Sequence, residues 1–255
     1  MRKDIKQYEG FSLIEMLFTI VILSIVMLLV ATTLNTVIKT SQTANSKNQA
    51  RSDVNYIMNT YERLITNSDL EDIKMYNSLG VRKFGFDESG IPTIVSTSLG
   101  DVYTNPNKTL PTLTSGNEIH VRLYGTDYWT CIGYFRDGWD SNYTLPSSSP
   151  IKYGYIVKAI MKDLGDATEH ANCFNQDATI TLLHSYSNNI MVKNPTGYDE
   201  PLPFDMRYIK VDENNSMFTI RVSVEPLWWP IKGTYLKQRW VTRQLAVSTK
   251  ALTRY

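Results

Sequence analysis

Four groups of side chains in this 255-residue sequence have the types and spacing to do chemistry. The first is one carboxylate, Glu15, the only charge in an apolar run from Phe11 to Ala31, with Gly10 standing where polar leader meets apolar run. An ionised group at mid-bilayer costs about 2.5–3.5 kcal/mol, so a carboxylate in such a run calls for a partner. Four helical rises put Glu15 about 6 Å along the axis from Phe11, at one end of the run. The second group is Cys131 and Cys173, the only two thiols. A bridge between them closes a loop of about 43 residues and stabilises by about 2–4 kcal/mol. Two free thiols, or a zinc site completed by His170 and His184, are the other readings, although the spacing matches no finger pattern.

The third group is the histidines, His120, His170 and His184. Ser and Asp residues are plentiful around them, but Gly-x-Ser-x-Gly, His-Glu-x-x-His and a Walker loop are all absent. No catalytic residue, metal site or cofactor is assigned, and the chain reads as something other than an enzyme. The fourth group is the C-terminal tail. Residues 67–225 hold 13 basic and 20 acidic side chains, whereas residues 226–255 hold 6 basic and none acidic. Lys237, Arg239, Trp240 and Arg243 mix cations with an aromatic ring, a combination able to meet phosphates by charge and bases by stacking. The plainer reading is a final strand whose basic face meets the acidic body or a neighbouring subunit.

The elements that must carry these groups follow from charge and periodicity. Over the whole chain 26 basic side chains balance 25 acidic ones, and 42% of residues are hydrophobic. That composition excludes a wholly disordered chain and a generally basic nucleic-acid binder. The 21 residues from Phe11 to Ala31 make a helix of roughly 31 Å, which matches a hydrocarbon core of about 30 Å. Arg2, Lys3 and Lys6 against Asp4 and Glu9 favour a cytoplasmic N-terminus. The body then lies outside, where a disulfide persists.

Beyond Ala31, Leu34, Val37, Ile38 and Ala44, then Val54, Ile57, Met58, Tyr61, Leu64 and Ile65, recur at three- and four-residue intervals, and no Pro or Gly lies between Phe11 and Leu79. The spacing predicts one helix of about 55 residues whose second half packs on a sheet, with a possible bend at Thr40 to Gln49. From about Ile91 the period becomes two. Strands are expected at Ile119 to Leu123, Tyr128 to Phe135, Tyr153 to Met161, Thr179 to Leu183, Met206 to Val211, Phe218 to Val224 and Tyr235 to Val247. Loops are expected at Thr104 to Gly116, Asp137 to Pro150 and Asn194 to Pro203. The fold class is α+β, a long N-terminal helix on a mainly antiparallel sheet.

Gly10-Phe11-Ser12-Leu13-Ile14-Glu15-Met16 resembles the prepilin processing motif of type IV pilins and type II secretion pseudopilins. The resemblance implies a leader at 1–10, a transmembrane and filament-core segment at 11–31, an amphipathic continuation at 32–66 and an extracytoplasmic globular domain at 67–255. It further implies cleavage between Gly10 and Phe11 by a prepilin peptidase and methylation of the new Phe11 amine. Glu15 is then expected to pair with the Phe11 amine of an adjacent subunit, since both lie at one membrane depth. The implied partners are other pilin or pseudopilin subunits, the peptidase, the inner-membrane assembly machinery and, before assembly, the lipid bilayer. The body is larger than that of a typical major pilin and is similar to minor pilins or large minor pseudopilins. A filament-displayed adhesin or DNA-uptake subunit is the alternative, and a membrane-anchored exported enzyme comes after it.

Overall fold

The computed structural model describes Gly10 and residues 12–78, 82–86, 92–96, 102–104, 113–137, 153–162, 173–174, 180–183, 188–191, 204–210, 215–226 and 241–250. The chain divides into two compact units, Met1–Asn45 and Ser46–Tyr255, and helix α1, Leu13–Thr66, supplies residues to each. It is 54 residues long and runs unbroken through Thr40 to Gln49, where a bend was possible.

In the first unit the helix is long and apolar enough to cross a membrane. Its apolar side chains from Leu13 to Ile38 are exposed. Hydroxyls in such a segment would leave bare polar groups in hydrocarbon unless the helix itself satisfied them. It does so. Thr19, Ser24, Thr32, Thr33, Thr36 and Thr40 each donate to a carbonyl three or four residues back, at 2.8–2.9 Å. Leu34, Val37 and Ile38, which the periodicity placed on the packing stripe, are exposed, because the first unit holds no other element among the described residues.

In the second unit burial starts at Ala50 and continues through Asp53, Val54, Ile57, Met58, Tyr61, Leu64 and Ile65, one face of the helix at three- and four-residue steps. The helix ends without glycine or proline: Ser68 Oγ donates to the Leu64 carbonyl at 2.5 Å and Tyr124 N–H to the Asn67 carbonyl at 3.2 Å, so two of its terminal acceptors are met by the segments that follow.

Among the described residues thirteen strands follow: β1 Ser68–Asn77, β2 Arg82–Phe86, β3 Pro92–Ser96, β4 Val102–Thr104, β5 Leu113–Gly116, β6 Glu118–Leu123, β7 Tyr128–Asp137, β8 Tyr153–Lys162, β9 Thr181–Leu182, β10 Asn188–Met191, β11 Phe204–Lys210, β12 Asn215–Pro226 and β13 Val241–Lys250. The main path runs β4-β1-β6-β7-β8-β10-β12-β11-β5, with β13 on β12, β9 on β8 and the β2–β3 hairpin attached to β7. Pairing is antiparallel except for β2, which adds in parallel to Arg136–Asp137, past the last β6–β7 pair at Glu118–Gly133. Both expected hairpins form, β6–β7 and β11–β12. In the first, Thr126 N–H reaches the Leu123 carbonyl and Gly125 takes φ 74°, a conformation that glycine adopts without steric cost.

Three expectations need correction. Strands begin at Ser68, not near Ile91; β1 is bulged between Ser68 and Ile73 against β6, which breaks the period-two signal there. The expected loop at Thr104 to Gly116 contains β5, which pairs with β11. Of the strand expected at Thr179 to Leu183, Thr181–Leu182 is strand among the described residues Ile180 to Leu183, and Thr179 lies outside them. The last strand is described from Val241 and runs to Lys250, while the start expected at Tyr235 and the loops at 138–150 and 194–203 lie outside the described residues.

At β7 and β8 the sheet is covered on both faces. Ile119 and Val121 of β6, Ile132 and Tyr134 of β7 and Ile156 of β8 join the cluster containing the helix residues. Trp129, Cys131 and Phe135 of β7 and Val157 and Ala159 of β8 join a second cluster with Phe84, Ile94, Cys173, Phe174 and Ile180. Residues 129–135 are therefore a continuous buried run, which is the pattern of a strand between two layers.

Candidate functional site

The N-terminal motif sits at the first turn of α1. Met16 N–H donates to the Ser12 carbonyl at 3.1 Å and Ile14 N–H to Ser12 Oγ at 3.3 Å, so Ser12 is the helix N-cap and the helix starts two residues later than Phe11. Glu15 reaches back: its Oε2 accepts the Ser12 N–H at 3.0 Å. Ser12-x-x-Glu15 is thus a capping box, a signal present in the sequence but hidden by the attention Glu15 draws as a lone charge. The box gives the carboxylate a partner within its own chain and places it at the positive end of the helix dipole. Gly10 is exposed, and a Cβ added there would meet nothing within 4 Å. Its backbone does not have positive φ either. The fold thus has no need of glycine at this position. Phe11 and residues 1–9 lie outside the described residues.

Cys131 on β7 and Cys173 are joined as a disulfide, tying the sheet to the layer that covers its second face. The bond consumes both thiolates of the zinc set considered above, while His170 and His184 lie outside the described residues. Replacing both cysteines by alanine, or reducing the bond, is expected to lower the stability of the full-length chain by about 2–4 kcal/mol. Chemical denaturation with and without reductant checks this, and coincident transitions would count against it.

His120 of β6 is fully buried in the most polar part of the interior. Glu118, two residues away on the same face, lies 2.5 Å from His120 Nε2 and accepts from Arg82 Nη1 at 2.5 Å and from Ser78 Oγ at 2.6 Å. Asn117 closes the network, accepting the Ser78 N–H at 2.6 Å and donating to the Tyr134 carbonyl at 2.8 Å. Burial by itself would raise the Glu118 carboxyl, but the hydrogen bond and charge of His120, then Arg82 and Ser78, hold it below the ordinary glutamate value. Burial, then the Glu118 charge, pushes the phenol of Tyr61 on the helix well above its usual range. Ser, His and a carboxylate together suggest a hydrolase triad, but here the acid stands between the other two and none of the three is accessible. The arrangement cross-braces β1, β2 and β6 and cannot receive a substrate.

Of the basic tail, Lys237, Arg239 and Trp240 lie outside the described residues, whereas Arg243 is exposed on β13 opposite Val222. The fold therefore brings together Ser12 with Glu15, Cys131 with Cys173 and His120 with Glu118.

Residues 5–31 match the family model of the prokaryotic N-terminal methylation motif. The chain carries the type IV pilin and pseudopilin signal. This pilin-type signal implies processing by prepilin peptidase and assembly with other pilin subunits, and the class it marks is structural rather than enzymatic. The matched residues run into a helix long and apolar enough to cross a membrane. No curated protein and no solved structure matches the chain.

Proposed function

We propose that this protein is a structural subunit, a minor pilin or large minor pseudopilin, of a type IV pilus or type II secretion-like filament. In this reading it enters the cytoplasmic membrane with its N-terminus inside, loses residues 1–10 to prepilin peptidase, is methylated on Phe11 and leaves lipid for the filament through α1. Its body stands outside the cytoplasm and carries no reaction of its own. The observation that carries the proposal is the methylation motif running straight into an exposed apolar stretch of helix, residues 13–38, whose one charge is Glu15. A body with a disulfide-tied second layer accords with an oxidising compartment.

The glycine supplies a clean test, because the fold itself gives no reason for it. Gly10→Val is expected to leave stability within about 0.5 kcal/mol of the parent while blocking cleavage. Mass spectrometry of the mature N-terminus and of sheared filaments reads the result. A parent chain that keeps Met1 to Gly10 and never enters a filament would overturn the proposal.

A further inference from the structure

We propose that the outer face of the β11–β12–β13 sheet is a binding site for a small carboxylate-bearing, hydroxyl-rich ligand, of the size of one acidic monosaccharide. This goes beyond the filament role and does not depend on it.

The three strands lie side by side with β12 in the middle. Met206 and Tyr208 of β11, Phe218, Ile220, Val222 and Val224 of β12 and Val247 of β13 turn inward and are buried. Alternation therefore puts Asp205, Arg207, Thr219, Arg221 and Gln244 on the other face. The register gathers them: Asp205 stands opposite Arg221, Arg207 opposite Thr219, and Arg221 opposite Gln244. With Ile220 they line an open cavity of about 240 Å³.

The charges in this cavity are not mutually satisfied. Asp205 faces Arg221 across the strands but carries its ion pair to Arg207, whose Nε is 2.8 Å from Asp205 Oδ2. Arg221 makes no hydrogen bond or ion pair among the described residues, and its Nε is buried without a partner. A buried donor on a charged group left unpaired is costly and uncommon in folded proteins, and a planar guanidinium is best satisfied by an oxyanion with two oxygens.

The class of anion follows from charge and size. Two guanidinium groups and one carboxylate leave the cavity with a single positive charge, which suits a monoanion; the Asp205 carboxylate opposes a dianionic phosphate. The Thr219 hydroxyl and the Gln244 amide both donate and accept, as neighbouring hydroxyl groups on a ligand require. The volume falls below the roughly 300–1,000 Å³ of sites for drug-sized molecules, so one sugar-sized unit fills it.

The test titrates full-length protein, in a detergent lacking sugar or charged headgroups, with sodium glucuronate, glucose and inorganic phosphate, read by ligand-observed NMR. Glucuronate is expected to bind at least tenfold more tightly than either of the others and to weaken as salt is raised. Arg221→Gln is expected to weaken it at least tenfold, and Gln244→Ala severalfold, while Lys162→Gln on the distant end of β8 leaves it unchanged. If Arg221→Gln does not fold, Gln244→Ala alone decides. Equal affinity for glucose and glucuronate, tighter binding of phosphate, or parental glucuronate affinity in either groove variant would overturn the assignment.

Discussion

Glu15→Gln is expected to reach the membrane, to be processed normally, and yet to be depleted from sheared filaments on the order of a hundredfold. The reasoning separates two jobs of one side chain. Within its own chain the carboxylate accepts the Ser12 N–H of the capping box, and glutamine at the same helix position can do this equally well. What glutamine lacks is the charge proposed to meet the Phe11 amine of a neighbouring subunit. Losing one partner of an ion pair away from water costs about 3–5 kcal/mol, and each 1.4 kcal/mol is a tenfold change in an equilibrium constant. Glu15→Ala removes cap and charge together, and is expected to differ from Glu15→Gln by only the value of a cap, about 1 kcal/mol. Quantitative immunoblots of sheared filaments against the membrane fraction measure both variants. If Glu15→Gln enters filaments at the parental level, the pairing is wrong and the cap is the sole task of this residue.

Glu118→Gln should destabilise the full-length protein by about 3–5 kcal/mol, because it removes the charge that the almost wholly buried Arg82 guanidinium pairs with and puts a neutral amide in its place. Against total stabilities of about 5–15 kcal/mol that is a large fraction. The pH dependence has a definite sign. Burial opposes ionisation, but His120, Arg82 and Ser78 outweigh it, so the folded carboxyl titrates below the ordinary value of 4.5. A group depressed in the folded state contributes its full stability above the unfolded value and loses it as pH falls through the folded one. Parental stability should therefore decline in acid below about 4.5, and Glu118→Gln should lack that part of the decline. Denaturant titrations across this range, followed by tryptophan fluorescence, decide the matter. A change within about 0.5 kcal/mol would show the network to be dispensable.

The helix, about the first quarter of the molecule, was nearly complete in the sequence. The absence of Pro and Gly from Phe11 to Leu79 gave the helix its length, and the residues from Val54 to Ile65 named for its buried face are buried. The helix–strand junction was illegible for a physical reason: the chain turns at Asn67 through hydrogen bonds from Ser68 and Tyr124, residues that carry no strong breaking signal. The bulge in β1 and the double burial of β7 obscured alternation in the same way. For the sites, Glu15 was conspicuous because a charge in an apolar run needs a reason, whereas its Ser12 partner was visible only as a capping pattern. His120 was noted, and Glu118 two residues away shares its face by the strand period, but that Arg82 and Ser78 join them depends on contacts nearly forty residues apart, which periodicity does not reveal. Arg221 offered no signal, since an arginine on an outward strand position is the commonest of arrangements until its neighbours are known.

One consequence follows from the hydroxyls of Thr19, Ser24, Thr32, Thr33, Thr36 and Thr40, each turned back onto its own backbone. Such a rod presents the same inert exterior to acyl chains and to sister helices. Exchanging one surrounding for the other need not break a polar contact of these hydroxyls, so shape complementarity governs how readily this stretch migrates. Recognition is thereby concentrated at its charged tip.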